Sequence, residues 1–216
     1  MRHETLRAVY VDLSSEFGEQ DFRWIFVIHS HGDADHNRAL DEASDYFHDT
    51  YGRTMAHLLG LQPVAECCAT KKRMLTPAQL REEGLSVHAG VEETSQMLFL
   101  KLGLVRSEYK DAPSWTAKDF PEMYDQACRP NWTGYLGAPR FATAAEGKQE
   151  FRALSAALQV MALKILDGQK WREIRRFADN VDPRDAPGQA EAQRRGAAIG
   201  KKQNAWQEAH RPKSKG

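Results

Sequence analysis

The run RWIFVI, residues 23–28, constrains the chain more than any other stretch, because a polar loop dense in histidines follows it directly. A short β-branched and aromatic run reads as a buried strand, here ending at Ile28. Downstream, Ala39, Leu40, Ala43, Tyr46 and Phe47 mark one face of a helix running toward Gly52. Upstream, Leu6, Val9, Tyr10, Leu13 and Phe17 recur at helical spacing, and Gly18 sits where a helix would stop. Helix, strand, polar loop, helix is the unit of a layered α/β fold. Ligands in such folds gather beyond the C-terminal ends of the strands. The loop within IHSHGDADHNRAL, residues 28–40, therefore lies where an active site is expected.

That loop packs His29, His31, His36, Asp33 and Asp35 into eight positions. Imidazole nitrogens and carboxylate oxygens are the donors that Zn²⁺ or Mn²⁺ prefers. The order His-x-His-x-Asp is similar to the opening of the metallo-β-lactamase motif, but the spacing then fails. The last histidine of that motif would fall on residue 34, which is alanine, and His36 comes two positions late. The structural alternative is a polar loop in which Asp33 turns the backbone and the histidines only hydrogen-bond.

Bulk properties remove several classes of function. The chain has 216 residues, 41% of them apolar, and a formal net charge of zero, so neither nucleic acid nor a membrane surface is indicated as a partner. No apolar run approaches the roughly 20 residues of a membrane-spanning helix, and residues 1–18 lack the unbroken hydrophobic stretch of a secretion signal. Cys67, Cys68 and Cys128 are odd in number and lack CxxC spacing, which predicts buried free thiols in a reducing cytoplasm.

After a loop-rich stretch punctuated by LQP and LTP, Val91, Ser95, Leu98 and Leu102 form one helical stripe. Residues 107–140 are rich in Pro, Gly and Trp and read as irregular. A long helix fits GKQEFRALSAALQVMALKIL, with Phe151, Leu154, Leu158, Met161 and Ile165 inward. From Pro183 the composition shifts to Ala, Gln, Lys and Arg, with eight basic and three acidic side chains over residues 183–216. The expected organisation is a domain over 1–182 and a basic, flexible tail over 183–216.

A second histidine segment narrows the reading. HAGVEETSQMLFLKLGLV, residues 88–105, resembles the His-Ala-Gly-x-x-Glu-Thr-Ser-x-x-Leu signature of the creatininase family of metal-dependent amidohydrolases. WIFVIHSHGDADHNRALDEASDYF resembles that family's strand, its Asn-Gly-His-Gly-Gly-Asn loop and the helix after it. GYLGAPRFATAAEGKQEF resembles the Gly-x-Pro-x-x-Ala-Thr segment opening the family's last helix. These segments fall in the family's order over roughly residues 4–166. His29 stands where the family usually has Asn, and DADHN is longer than the usual Gly-Asn. The family's N-terminal strand, whose Glu-x-His supplies most ligands of a two-metal centre, has no counterpart here. Glu208 to His210 is the chain's one Glu-x-His, and it lies in the basic tail.

The resemblance implies a three-layer α/β/α creatininase-like fold, represented by its C-terminal two-thirds. It implies hydrolysis of a small cyclic or formyl amide by a metal-bound water, with Zn or Mn as the divalent metal and a homo-oligomeric assembly. It places His31, Asp33 and Glu93 as metal ligands, His88 as proton donor to the leaving amine, and Glu93 also on the reacting water. The structural alternatives are a hydrogen-bonded loop histidine at 31, a turn-forming Asp33, and a helix cap at His88. Trp115 and Trp132 are candidates for the pocket wall, or simple packing. A catalytically silent member retaining fold and subunit contacts is the competing reading.

Overall fold

The fold grows outward from a single parallel βαβ unit. In the computed structural model, which describes residues 2–29, 31–69, 74–179 and 186–211, strand β1 (Trp24–Val27) pairs in parallel with β2 (Thr54–His57), in the register Trp24 to Thr54 through Val27 to His57. Helix α2 (Ala34–Tyr51) makes the crossover. It starts at Asp33, whose side chain accepts the His36 N–H, and stops at Gly52, which takes the left-handed conformation at φ 65°.

The two faces of this small sheet have different covers. Ile25, Val27 and Met55 pack with Ala43 and Phe47 of α2 and with Tyr10 and Val11 of α1 (His3–Glu19). Phe26 and Ala56 point the other way, into a cluster of Leu58, Leu61, Val64, Met161, Ile165 and Trp171. That cluster joins α3 (Gln62–Ala69) to α7 (Ala144–Leu166). Helices α4 (Pro77–Glu83), α5 (Val91–Lys101) and α6 (Phe120–Ala127) form the remainder of the domain, and α8 (Ala186–Ala209) follows it. The result is a mostly helical α/β protein with a small parallel sheet.

Helices α5 and α7 meet through small residues. A Cβ at Gly147 would run into the Ser95 carbonyl and come within 2.7 Å of the Gln96 nitrogen. The Ser95 hydroxyl in turn accepts the Thr143 N–H at 3.0 Å, one residue before α7 begins. The AEG of the last segment and the ETS of the histidine segment are thus two sides of one helix contact.

Several sequence expectations change. The stripe Val9, Leu13, Phe17 faces outward, and α1 instead presents Ser14 and Gly18 inward, because the Tyr51 ring lies 2.6 Å from where a Gly18 Cβ would sit. Leu102 and Phe151 are exposed, while Glu146 and Glu150 are buried on α7. Strand β2 was not read from the sequence, and α6 lies within the stretch read as irregular. The basic segment after residue 182 is helical over Ala186–Ala209, which follows from the high helix propensity of Ala, Gln, Lys and Arg. Residues 212–216 of the tail expected to be flexible lie outside the described residues. Cys67 is half-buried and Cys128 exposed, so the thiols are not the buried set expected, and the Cys68 side chain lies outside the described residues. No helix among the described residues is long and apolar enough to cross a membrane.

If the α5–α7 contact depends on the missing side chain, Gly147→Ala should destabilise the protein by about 1–3 kcal/mol through overpacking. Gly103→Ala, where nothing lies within 4 Å, should stay within about 0.5 kcal/mol of wild type. Urea denaturation of both variants measures the difference, and equal midpoints would refute the packing argument.

Candidate active site

The parallel register carries two histidines to one edge of the sheet. His57 ends β2 opposite Val27, and the chain leaving β1 reaches His29 two residues later. Their rings stack with centroids 4.5 Å apart and planes 16° from parallel. His36, in the first turn of α2, brings its ring to 4.7 Å from His29 and 5.0 Å from His31. Asn37 organises the loop from below. It is 3% exposed, and its Nδ2 donates to the His31 carbonyl at 3.0 Å and to the Asp33 carbonyl at 2.7 Å. The His29 Nδ1 lies 3.0 Å from the His31 backbone N–H and accepts its proton.

The opposite rim comes from residues 83–93. Glu83, 3% exposed, accepts the Val91 N–H at 2.8 Å through one carboxylate oxygen and the Ala138 N–H through the other. This joins the end of α4, the start of α5 and the segment 136–138, which also pairs with residue 88 through the Leu136 N–H to the His88 carbonyl at 2.7 Å. Two glycines make the junction possible. A Cβ at Gly90 would lie 2.7 Å from Glu83 Oε1, and one at Gly137 would lie 2.8 Å from Glu83 Oε2. Between His88 and Gly90, Ala89 adopts a positive φ of 49°, a conformation that L-residues other than glycine rarely take. The Glu93 carboxylate accepts the Ala89 N–H and lies 3.9 Å from His88 Nδ1.

Between the rims is a cavity of about 330 Å³. His31, His88 and Glu93 all line it, together with His29, Asn37 and Glu92. Three of the four site residues expected from sequence therefore share one pocket. Asp33 does not line it. Its carboxylate caps α2, and it faces a second, larger cavity of about 790 Å³ between α1, the histidine loop and α8. Asp35 pairs with Arg38 at 3.0 Å. Trp132 and Trp115 pack away from the smaller cavity: the Trp132 indole donates to the Tyr135 carbonyl, and Trp115 pairs with Gly137.

Sequence reasoning missed Asn37, which lines the cavity, and the buried pair Asp41 and His57 next to the histidine loop. His57 is 1% exposed and Asp41 4%, with His57 Nδ1 3.4 Å from Asp41 Oδ1. The signal for Asn37 and Asp41 was available in part, since 37, 40, 41, 44 and 47 fall on one face of α2 and the face is buried. His57 gave no signal, because the strand that carries it was not recognised.

The donor chemistry fits a divalent transition ion. His29 Nε2, His36 Nε2, both His57 nitrogens and Asp41 Oδ2 are buried without a hydrogen-bond partner. The His29 and His36 imidazoles are also biased toward the neutral form that ligation requires. Burial first, and then the neighbouring His57, His36 and His31, lower the His29 pKa from 6.5 to about 4. Burial and His31 lower that of His36 as well. Among the described residues, however, no three His, Cys, Asp or Glu side chains are arranged to hold an ion as they stand.

The parallel βαβ unit, with an imidazole-lined pocket at its C-terminal edge, defines the molecule as an α/β protein with a small parallel sheet. Comparison with known families makes this specific: residues 1–161 match the creatininase family, described as creatinine amidohydrolase, and the chain belongs to that family. No curated protein and no solved structure matches it significantly.

The depressed His29 pKa has a thermodynamic consequence. Below about pH 6.5 the unfolded chain binds a proton at His29 that the folded chain refuses until about pH 4. Stability of the chelator-treated protein should therefore fall as pH drops through this window. His29→Gln should make the decline shallower in chemical denaturation measured at several pH values. An unchanged slope would show that His29 titrates normally in the folded state.

Proposed function

We propose that the protein is a metal-dependent amidohydrolase acting on a small cyclic or formyl amide. The observation carrying this reading is the convergence of His31, His88 and Glu93 on one small cavity in a chain of the creatininase family. At about 330 Å³ the cavity lies at the small end of ligand sites, which suits a compact substrate. The covers on both faces of the sheet support a three-layer α/β/α arrangement.

A divalent ion, Zn or Mn, when bound lowers the pKa of water toward 7 and polarises an amide carbonyl. Imidazoles of the loop, His31 among them, would hold it. His88 reaches the cavity from the opposite rim, where an imidazole can pass a proton to the departing amine near neutral pH. Glu93, beside His88, orients that ring and accepts a proton from the attacking water. His29 and Asn37 shape the floor, with Asn37 fixing the carbonyls of residues 31 and 33. Asp33 serves this reading as the cap that sets the start of α2 rather than as a ligand in the smaller cavity.

A second reading, a silent member that keeps fold and subunit contacts, is favoured by one observation. The His88 and Glu93 side chains are 61% and 52% exposed, whereas a working acid–base pair is ordinarily shielded from bulk water.

Hydrolysis of a panel of cyclic amides and N-formyl amines, with Zn²⁺ or Mn²⁺ supplied, separates the two readings. The amidohydrolase reading expects turnover that falls about 10²–10⁴-fold in His88→Ala with the fold unchanged by circular dichroism. Activity surviving His88→Ala would remove His88 from its role. No turnover on any amide with either ion would favour the silent member.

A further inference from the structure

We infer that Gln96 is a specificity residue of the smaller cavity, recognising a neutral amide group of the substrate other than the one cleaved. The inference rests on the amidohydrolase reading above and narrows the kind of amide it acts on. Most polar groups lining the cavity are already committed. Asn37 holds the loop carbonyls, the Ser86 hydroxyl donates to the Leu136 carbonyl at 3.1 Å, and Glu93 accepts the Ala89 N–H. Glu92 has a partner of its own. Gln96 differs from these. It lines the cavity and is half-buried, and among the described residues its carboxamide has no hydrogen-bond partner.

Its position is well defined. Gln96 follows Glu93 by three residues on α5, so both side chains rise on one side of the helix. The Gln96 backbone nitrogen packs where Gly147 has no side chain, which ties the base of the residue to α7. A group anchored in this way discriminates better than one on a mobile loop. The chemistry of its partner follows from the carboxamide, which offers N–H donors and a carbonyl acceptor side by side without charge. A carboxylate or an ammonium answers only one of the two functions. A second amide answers both, provided that a ring holds its N–H and C=O on the same edge. Leu59, Ala65 and Leu154 give the cavity an apolar wall against which the hydrocarbon part of such a ring can lie. His31, His88 and Glu93 are occupied with the amide that is cleaved, so the group read by Gln96 is a further one. The ligand class is a compact ring carrying two amide groups.

The test is calorimetric titration of the full chain, stripped with a chelator so that no ring is turned over. The probes are cyclic diglycine and 2-piperidinone, rings of equal size with two amide groups and one. The wild type should bind cyclic diglycine about tenfold more tightly, as a matched pair of neutral hydrogen bonds provides. Gln96→Leu should lose that preference and bind 2-piperidinone as the wild type does. In ¹⁵N spectra of the wild type, the Gln96 side-chain amide should shift with cyclic diglycine and stay in place with 2-piperidinone. The spectra keep the test decisive even if the variant fails to fold. Equal binding of the two rings by the wild type, binding of neither, equal weakening of both by Gln96→Leu, or an unmoved Gln96 signal would overturn the inference. Turnover of simple lactams without any preference for the diamide would do so too and leave the proposed hydrolase standing. Preference for the diamide with no turnover on the amide panel would keep the role of Gln96 and remove the hydrolase.

Discussion

The buried carboxylate of Glu83 holds together the part of the molecule on which the cavity depends. Its two oxygens receive backbone N–H groups from the first residue of α5 and from Ala138, so three segments distant in sequence meet at one side chain. Hydrogen bonds to an ionised or strongly polarised acceptor are among the stronger ones in proteins. The neighbouring Glu82 extends the clasp to Ser114 at 2.9 Å and to Arg140. Together with the direct bond from the Leu136 N–H to the His88 carbonyl, this junction fixes the rim that carries His88 and Glu93.

Close packing of this kind accounts for three glycines in the segments that carry the family resemblance. In the HAG of residues 88–90, glycine is required because Glu83, the Ser86 hydroxyl and the Leu136 carbonyl fill the space of its Cβ. In GYLGAP, Gly137 meets Glu83 and Ser86 from the other side and has φ 124°. In AEG, Gly147 admits the backbone of α5. Of these three glycines, Gly90 lines the cavity, and Gly137 and Gly147 do not. They allow close packing that places the imidazole and carboxylate groups where they are.

How far the sequence could be read follows from where local periodicity matched burial. Helix α2 was legible because Leu40, Ala43 and Phe47 are both periodic and fully buried. Helix α1 misled in part because Val9, Leu13 and Phe17 point out, while its contact face combines Tyr10 and Val11 with Ser14 and Gly18, small residues that carry no hydrophobic signal. The four residues of β2 are too few and too mixed to declare a strand, and with them His57 was lost. The cavity residues His31, His88 and Glu93 were found through motif order, not periodicity. Asp41 and Asn37 escaped because a polar residue on a buried helix face is ordinarily read as a break in the pattern.

The two rims of the cavity also differ in how they can be assembled in time. β1, α2 and β2 are contiguous in the chain, and their contacts close over about one helix length, whereas the Glu83 to Ala138 bond spans 55 residues. Short-range contacts cost less loop entropy and form sooner. The histidine loop therefore rests on a contiguous scaffold of its own, whereas the rim bearing His88 and Glu93 depends on segments brought together from far apart in the chain. The cavity exists only where both are in place, so it depends on the whole domain and not on the βαβ unit alone.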